Sequence, residues 1–191
     1  MTRSAVFLDR DGTVVVERDW VLRPEQLELE HGAIRGLQRL QRLGLPLVVI
    51  SNQSAVARGL LRVEELEAVH THLRTMLARH GVHLLDVLYC PHHPQEGVGV
   101  WRTECACRKP KSGLLYTAAQ LHGLDLSRSW LIGDALRDMQ AAAQADCRAL
   151  LVRTGKGSAD EARVRSLLPQ TAIVTDLDAA ARHIELTATS A

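Results

Sequence analysis

The chain has 191 residues, 46% of them apolar, enough to close one substantial core and too few for a second large domain. Its 23 basic and 22 acidic residues leave a formal charge of +1, which excludes a broad electrostatic footprint for nucleic acid or an anionic membrane and makes any anion site local. No apolar run reaches the roughly 20 residues that span a bilayer and Met1 opens no charged, apolar leader, so a cytoplasmic setting is expected.

Val6-Phe7-Leu8 reads as a buried strand that stops at Asp9-Arg10-Asp11-Gly12-Thr13, and open α/β sheets carry their sites at such strand ends. Two carboxylates spaced i, i+2 share one small region there, and a divalent cation relieves their repulsion. Asp9 is placed to attack phosphorus as a carboxylate nucleophile, and Asp11, protonated at that stage, to hand a proton to the leaving oxygen. A solvated Asp-x-Asp turn is the plain alternative for the pair in isolation.

Thr13 to Glu30 is polar and irregular and is expected to form a flap over the strand end. Trp20 reads as a packing residue of that flap, with Glu17, Arg18 and Asp19 within reach of substrate. Ile34, Leu37, Leu40 and Leu43 recur with helical spacing, and Gly44 suits the left-handed cap after them. Leu45 to Ile50 is a second buried strand, ending in Ser51-Asn52-Gln53-Ser54. These neutral donors can hold a phosphoryl oxygen without neutralising the nucleophile, or simply cap a helix.

Leu66, Val69, Leu73, Met76 and Leu77 mark a long helix stopped at Gly81, whose His70, His72 and His80 read as surface residues. Leu84 to Leu88 is a third strand, and it runs into Cys90-Pro91-His92-His93-Pro94, followed by Cys105-Ala106-Cys107. Cys90, His92, Cys105 and Cys107 make a Cys3His set that fits a closed, structural, tetrahedral zinc site, with His93 competing for the histidine position. Unliganded core thiols are the alternative. Cys107 leads straight into Arg108-Lys109-Pro110, so a metal there would pin two cations. Lys109 would screen Asp9 and an incoming phosphate, and Arg108 would fork onto the rest of the substrate.

Leu114, Leu115, Ala118 and Leu121 define a helix closed by Gly123. Trp130-Leu131-Ile132 is the fourth strand and ends in Gly133-Asp134, with Asp138 four residues on. Asp134 supplies the third carboxylate that a magnesium site with Asp9 and Asp11 lacked, and Asp138 orients a water or Lys109. A small-residue helix around Met139, Ala142, Ala143 and Ala145 follows. Cys147 reads as an inert core thiol beside a fifth strand, Ala149 to Val152. After a loop at Thr154 to Ser158 come a short helix, a strand at Ala172 to Val174 and a last helix around Leu177 to Ile184. Residues 1–186 are expected to form one domain and 187–191 a frayed tail.

The ordered set Asp9-x-Asp11-Gly12-Thr13, Ser51-Asn52, Lys109-Pro110 and Gly133-Asp134 with Asp138 resembles the four motifs of the haloacid dehalogenase superfamily of phosphotransferases. Within it, Asn52-Gln53-Ser54, the cysteine and histidine loop, Arg108-Lys109-Pro110 and Val152-Arg153-Thr154-Gly155 are similar to the heptose bisphosphate phosphatases, a subfamily related to the histidinol phosphatases. The resemblance implies a Rossmann-like three-layer α/β core with a mostly parallel sheet, no cap domain and a zinc-braced loop. It implies an aspartyl-phosphate on Asp9, acid and base work by Asp11, and phosphoryl stabilisation by Ser51 and Lys109. Magnesium is expected on the carboxylates of Asp9 and Asp134 and the main-chain carbonyl of Asp11, and structural zinc in the loop. The substrate is expected to be a small sugar bisphosphate, with no nucleic acid or membrane partner and a monomeric enzyme. Arg10, Glu17, Arg18, Asp19, Trp20, Asn52, Gln53, Ser54, Arg108 and the position of Ala135 are expected around it. The implied product is the heptose 1-phosphate, feeding nucleotide-activated heptose for lipopolysaccharide or surface-layer glycans. Ala135 departs from relatives with a lysine after the Asp of Gly133-Asp134, which removes one cation near substrate. Ala55 stands where a glycine is frequent and Ser51 where a threonine is. The rival readings are a histidinol-phosphate phosphatase, a polynucleotide 3′-phosphatase, which the neutral composition disfavours, and a non-catalytic phospho-receiver or binding module, which needs neither Asp11 nor a braced Arg108-Lys109.

Overall fold

Short Val, Ile and Leu runs alternating with helical periodicities build a parallel sheet, because parallel neighbours need a crossover helix between them. The computed structural model, which describes residues 2–189, has strands β1 (Val6–Leu8), β2 (Leu47–Asn52), β3 (Asp86–Cys90), β4 (Trp130–Gly133), β5 (Arg148–Val152) and β6 (Ala172–Val174). They form one six-stranded sheet in the order β3-β2-β1-β4-β5-β6, every pair parallel. The helices are α1 (Ala33–Arg42), α2 (Ser54–Ala57), α3 (Val63–Ala78), α4 (Gly113–His122), α5 (Leu136–Gln144), α6 (Gly157–Leu167) and α7 (Leu177–Thr189).

Side chains of a strand alternate between faces, and β1 divides accordingly. Val6 and Leu8 enter the core made with α1, α3 and α7 through Leu37, Leu40, Leu73, Leu77 and Ile184. Phe7 enters the opposite core, made with α4 and α5 through Leu114, Leu115, Ala118, Ala141 and Ala142. The result is the expected three-layer, Rossmann-like sandwich. Winding runs outward from β1 to β3 on one side and from β4 to β6 on the other, so the order reverses between β1 and β4, where a crevice opens at the strands' carboxyl ends. Among the described residues no further domain is inserted, and no helix is long and apolar enough to cross a membrane.

The differences from the sequence reading have physical causes. β3 begins two residues later than expected and carries Asp86, which an edge strand tolerates because Arg74 and His122 reach its carboxylate. The chain enters β2 after Pro46, whose carbonyl accepts from Val6 N–H at 2.9 Å. α7 continues through residues 187–189 of the expected tail, and residues 190–191 lie outside the described ones. The largest correction is His70: expected at the surface, it is 2% exposed, because it lies on the buried stripe of α3 with Leu66, Val69, Leu73 and Leu77.

Candidate active site

Leu8 is in register with Val49 of β2 and Ile132 of β4, and Asp9 N–H still bonds to the Ile132 carbonyl at 2.9 Å. The residues that follow therefore leave the sheet together, bringing Asp9, Ser51 and Asp134 to one edge. Lys109 arrives from the cysteine loop and is 2% exposed. Its Nζ lies 2.9 Å from Asp9 Oδ1 and 2.7 Å from Asp138 Oδ1, and donates to the Ile50 carbonyl at 2.9 Å. Burial opposes the lysine's charge, but Asp138 and Asp9 outweigh it and raise the pKa. For Asp9 burial pushes the pKa up, and Lys109 and Arg137 together hold it below the usual carboxylate value. The nucleophile candidate is thus ionised and oriented.

Asp134 is the opposite case. Oδ2 accepts from Lys156 N–H at 2.8 Å, while Oδ1 is buried without a hydrogen-bond partner. Burial first, then the charges of Asp9 and Asp138, push its pKa up to about 8. Carboxylate oxygens of Asp9, Asp134 and Asp138 lie within 4.8 Å of one another, and an orphaned hard oxygen in an anionic cluster fits a hard cation such as magnesium. Asp138 is already engaged: its Oδ2 accepts from Ala135 N–H at 3.0 Å, closing the start of α5. The Asp11 side chain turns away from this cluster toward Arg10 and Gln53, which is compatible with the main-chain carbonyl being the group expected of Asp11. Gly12, with φ of +79°, and Gly155, with φ of +54°, pack on the Asp134 carboxylate, and a Cβ on either would collide with Oδ2.

Asn52 explains how Lys109 is aimed. Its amide donates to the Lys109 carbonyl and accepts from Lys109 N–H, both at 3.0 Å, so the tip of β2 grips the backbone of the incoming loop. The loop itself is gathered by its sulfurs. Cys105 Sγ lies 3.4 Å from Cys90 Sγ and 3.3 Å from Cys107 Sγ, too far for disulfides, which need about 2.05 Å. His92 Nδ1 stands 3.5 Å from Cys107 Sγ and 3.8 Å from Cys90 Sγ. Zinc–sulfur bonds of about 2.3 Å imply tetrahedral edges of about 3.8 Å, so these four atoms could hold zinc. His93 does not compete, since its Nδ1 accepts from the backbone N–H groups of Gln95 and Glu96.

Asp11 is held from two sides. Arg10 Nε lies 3.0 and 3.1 Å from its two oxygens and Nη2 2.9 Å from Oδ1, and Gln53 Nε2 donates to Oδ2 at 2.9 Å and to Ser51 Oγ at 2.8 Å. Arg10, Asp11, Glu17, Arg18, Asp19, Trp20, Asn52, Gln53, Ser54 and Arg108 line one pocket, with Arg137 and Lys156. Trp20 packs on Ala55, Val56, Leu61 and Leu66 with the Arg58 guanidinium 4.9 Å from its ring centre. Glu17 binds Lys156 Nζ at 2.6 Å, tying the flap to the loop after β5. Arg108 Nη1 donates to the His92 carbonyl at 3.0 Å.

The carboxyl half, residues 106–180, matches the family model described as HAD-hydrolase-like. Over 159 residues the chain is 41% identical to the D-glycero-beta-D-manno-heptose-1,7-bisphosphate 7-phosphatase of Salmonella typhi, covering 83% of this chain and 85% of that one. Over 187 residues it is 38% identical to the enzyme of the same name from Pseudomonas aeruginosa, covering 92% and 94%. The chain belongs to this family of HAD-like phosphatases. In three dimensions it is similar to the D,D-heptose 1,7-bisphosphate phosphatase of B. bronchiseptica, solved with magnesium and phosphate, with a TM-score of 0.86, 35% identity and coverage of 96% of this chain and 99% of that one.

One expected position is not among those that line the pocket: Ala135 is 2% exposed. The cation that the sequence reading missed is Arg137, two residues on. It lines the pocket, and its Nη2 is 3.9 Å from Asp9 Oδ2. Burial opposes its charge, but Asp138, Asp9 and Asp134 keep the guanidinium firmly protonated. Its signal lay in helical spacing: three residues past Asp134, it leaves the first turn of α5 on the side of the site.

Proposed function

We propose that this chain removes the 7-phosphate of D-glycero-D-manno-heptose 1,7-bisphosphate, giving heptose 1-phosphate, by way of an aspartyl-phosphate on Asp9. The observation that carries the reading is Asp9 itself, ionised at the sheet's reversal point between buried Lys109 and the orphaned Asp134 oxygen, in a chain whose relatives bear that enzyme's name. An Asp9 carboxylate oxygen bonds to phosphorus as the bond from phosphorus to the C7 oxygen breaks, and Asp11 gives that oxygen its proton. Water then attacks phosphorus, its proton goes to Asp11, and the aspartyl oxygen leaves with Asp9 restored. Lys109 and the Ser51 hydroxyl hold the phosphoryl oxygens meanwhile. Asp9 and Asp134, with the main-chain carbonyl of Asp11, would hold magnesium, which would supply the positive charge that lets an anionic phosphate approach carboxylates. Arg108, Arg137 and Lys156 form the cationic wall that recognises the phosphate left in place.

Steady-state phosphate release from heptose 1,7-bisphosphate and from histidinol phosphate tests the substrate, with the product position read by phosphorus NMR. The bisphosphate is expected to be the better substrate and the C1 phosphate to survive; loss of the C1 phosphate, or faster turnover of histidinol phosphate, overturns the assignment. Multiple turnover also separates an enzyme from a receiver that is phosphorylated once.

Zinc in the Cys90, His92, Cys105 and Cys107 cluster is part of the same proposal. Its role is to brace Arg108 and Lys109. Cys107→Ser is expected to lower bound zinc from one equivalent to a small fraction and Tm by about 10 °C, since a few kcal/mol of site energy shifts a domain of this size by that much. Metal analysis and calorimetry on one sample check both. The four cysteines are free of disulfides, which suits a reducing compartment such as the cytoplasm.

A further inference from the structure

Arg10 is among the largest fully buried side chains in the protein, and its guanidinium has two neighbours. One edge holds both oxygens of Asp11, and Nη1 at the other end lies 3.3 Å from His70 Nε2 on α3. A guanidinium has donors only, so Nε2 must present its lone pair and the ring proton sits on Nδ1. The groups facing the imidazole are Arg10 from the end of β1, Arg74 on its own helix and Tyr89 of β3, whose ring centre is 5.2 Å away and whose hydroxyl donates to Glu67. Burial first, then the charges of Arg10 and Arg74, push the His70 pKa down to about 3, so the ring stays neutral and stays an acceptor.

As a packing residue His70 is a costly choice. Its Nδ1 is buried and has no hydrogen-bond partner among the described residues, a situation that costs about 1–3 kcal/mol. Leucine would fill the stripe between Leu66 and Leu73 without that penalty. What histidine provides here is the acceptor for Arg10 Nη1.

We infer that His70 is a positioning residue: by anchoring the far end of the Arg10 guanidinium it fixes the carboxylate of Asp11 for proton transfer. The inference rests on the reading of Asp11 as acid and base. Without the acceptor, Nη1 is left buried and unpaired, the guanidinium turns to other acceptors, and Asp11 moves with it. Displacing a catalytic group by about 1 Å costs up to about 100-fold in rate.

The test compares kcat/KM, which reports the step in which the leaving group departs, on two substrates. Heptose bisphosphate expels a primary alkoxide that needs a proton; p-nitrophenyl phosphate expels a phenolate that does not. His70→Leu is expected to lose about tenfold on the first and less than about twofold on the second. His70→Gln, whose amide oxygen reaches the place of Nε2, is expected to restore the alkyl substrate. His70→Asn, too short to reach Arg10, repeats the selective loss and serves if the leucine variant does not fold. Equal losses on both substrates, or no rescue by glutamine, overturn the inference. Asp11→Asn is the reference: if it shows no selective loss on the alkyl phosphate, the reading of Asp11 fails and His70 with it. A selective loss in Asp11→Asn but not in His70→Leu overturns the role of His70 alone.

Discussion

Asp9→Asn is expected to lower kcat on heptose bisphosphate by at least about 10⁴-fold, equivalent to about 5 kcal/mol of barrier, while the protein still folds and binds substrate. The amide is close to the carboxylate in shape and its oxygen can still accept from Lys109 Nζ and from Arg10 N–H, the two donors now on Asp9 Oδ1. Lys109 is not orphaned, because Asp138 remains 2.7 Å from its Nζ. What disappears is the electron pair that attacks phosphorus, and the carboxylates of Asp138 and Asp11 are committed elsewhere. Asp138 has both oxygens engaged by Lys109 and by Ala135 N–H, and Asp11 is turned toward Arg10 and Gln53. Single-turnover phosphate release with a thermal melt of the same sample checks both halves of the expectation. Residual turnover within tenfold of the unsubstituted rate would mean that another group attacks.

The skeleton of this site was legible because it depends on strand ends, and strand ends show in sequence. Val6-Phe7-Leu8, Leu47 to Ile50 and Trp130-Leu131-Ile132 are apolar runs that stop at polar residues, and parallel register then carries those polar residues to one edge. Lys109 was legible for a different reason: it follows directly on Cys107, whose partners announce themselves by spacing. What the sequence concealed were contacts made sideways from helices. Arg137 looks like any exposed arginine of an amphipathic helix until the first turn of α5 is seen against Asp9. His70 was misread because residue type was weighed above position. Positions 66, 69, 70, 73 and 77 form one stripe at helical spacing, and all five are buried; the pattern placed position 70 inside, whatever occupied it. Ala135 is buried at the start of α5, where its N–H donates to the Asp138 carboxylate, and it is not among the residues that line the pocket.

The absence of a cap domain shapes how the pocket discriminates. Its wall is the flap from Glu17 to Trp20, fastened to the far side of the sheet by the ion pair of Glu17 with Lys156, and the cysteine loop that carries Arg108. Both come from connections following β1 and β3, and neither has a core of its own large enough to close and open as a unit. Selectivity in such a site rests on charge placement, with Arg108, Arg137 and Lys156 lining one pocket, and a substrate bearing a second phosphate satisfies that placement better than a cationic amine does. The same wall therefore favours a sugar bisphosphate over histidinol phosphate.

Asp134→Asn is expected to cost about 10³-fold in turnover and yet, with metal chelated at pH 8, to melt no lower than the unsubstituted protein. The sign follows from the acid's environment. Burial, then Asp9 and Asp138, raise the Asp134 pKa from an ordinary 3.8 to about 8. The folded chain therefore holds a proton that the unfolded chain has released, and stability is full below the ordinary value and is lost as pH rises towards 8 and through it. Chelated protein should melt lower at pH 8 than at pH 6, and the asparagine variant, with nothing to ionise at 134, should flatten that slope. Magnesium acts in the other direction, because a cation that binds the ionised carboxylate stabilises only the folded state. Its gain in Tm should be larger at pH 8 than at pH 6 and should shrink in Asp134→Asn. Melts in chelator and in magnesium at the two pH values decide the matter: if magnesium raises the Tm of the variant as much as that of the unsubstituted protein, the buried oxygen of Asp134 is not where the cation is held, and the charge balance argued for Asp9, Lys109 and Asp138 must be closed by some other group.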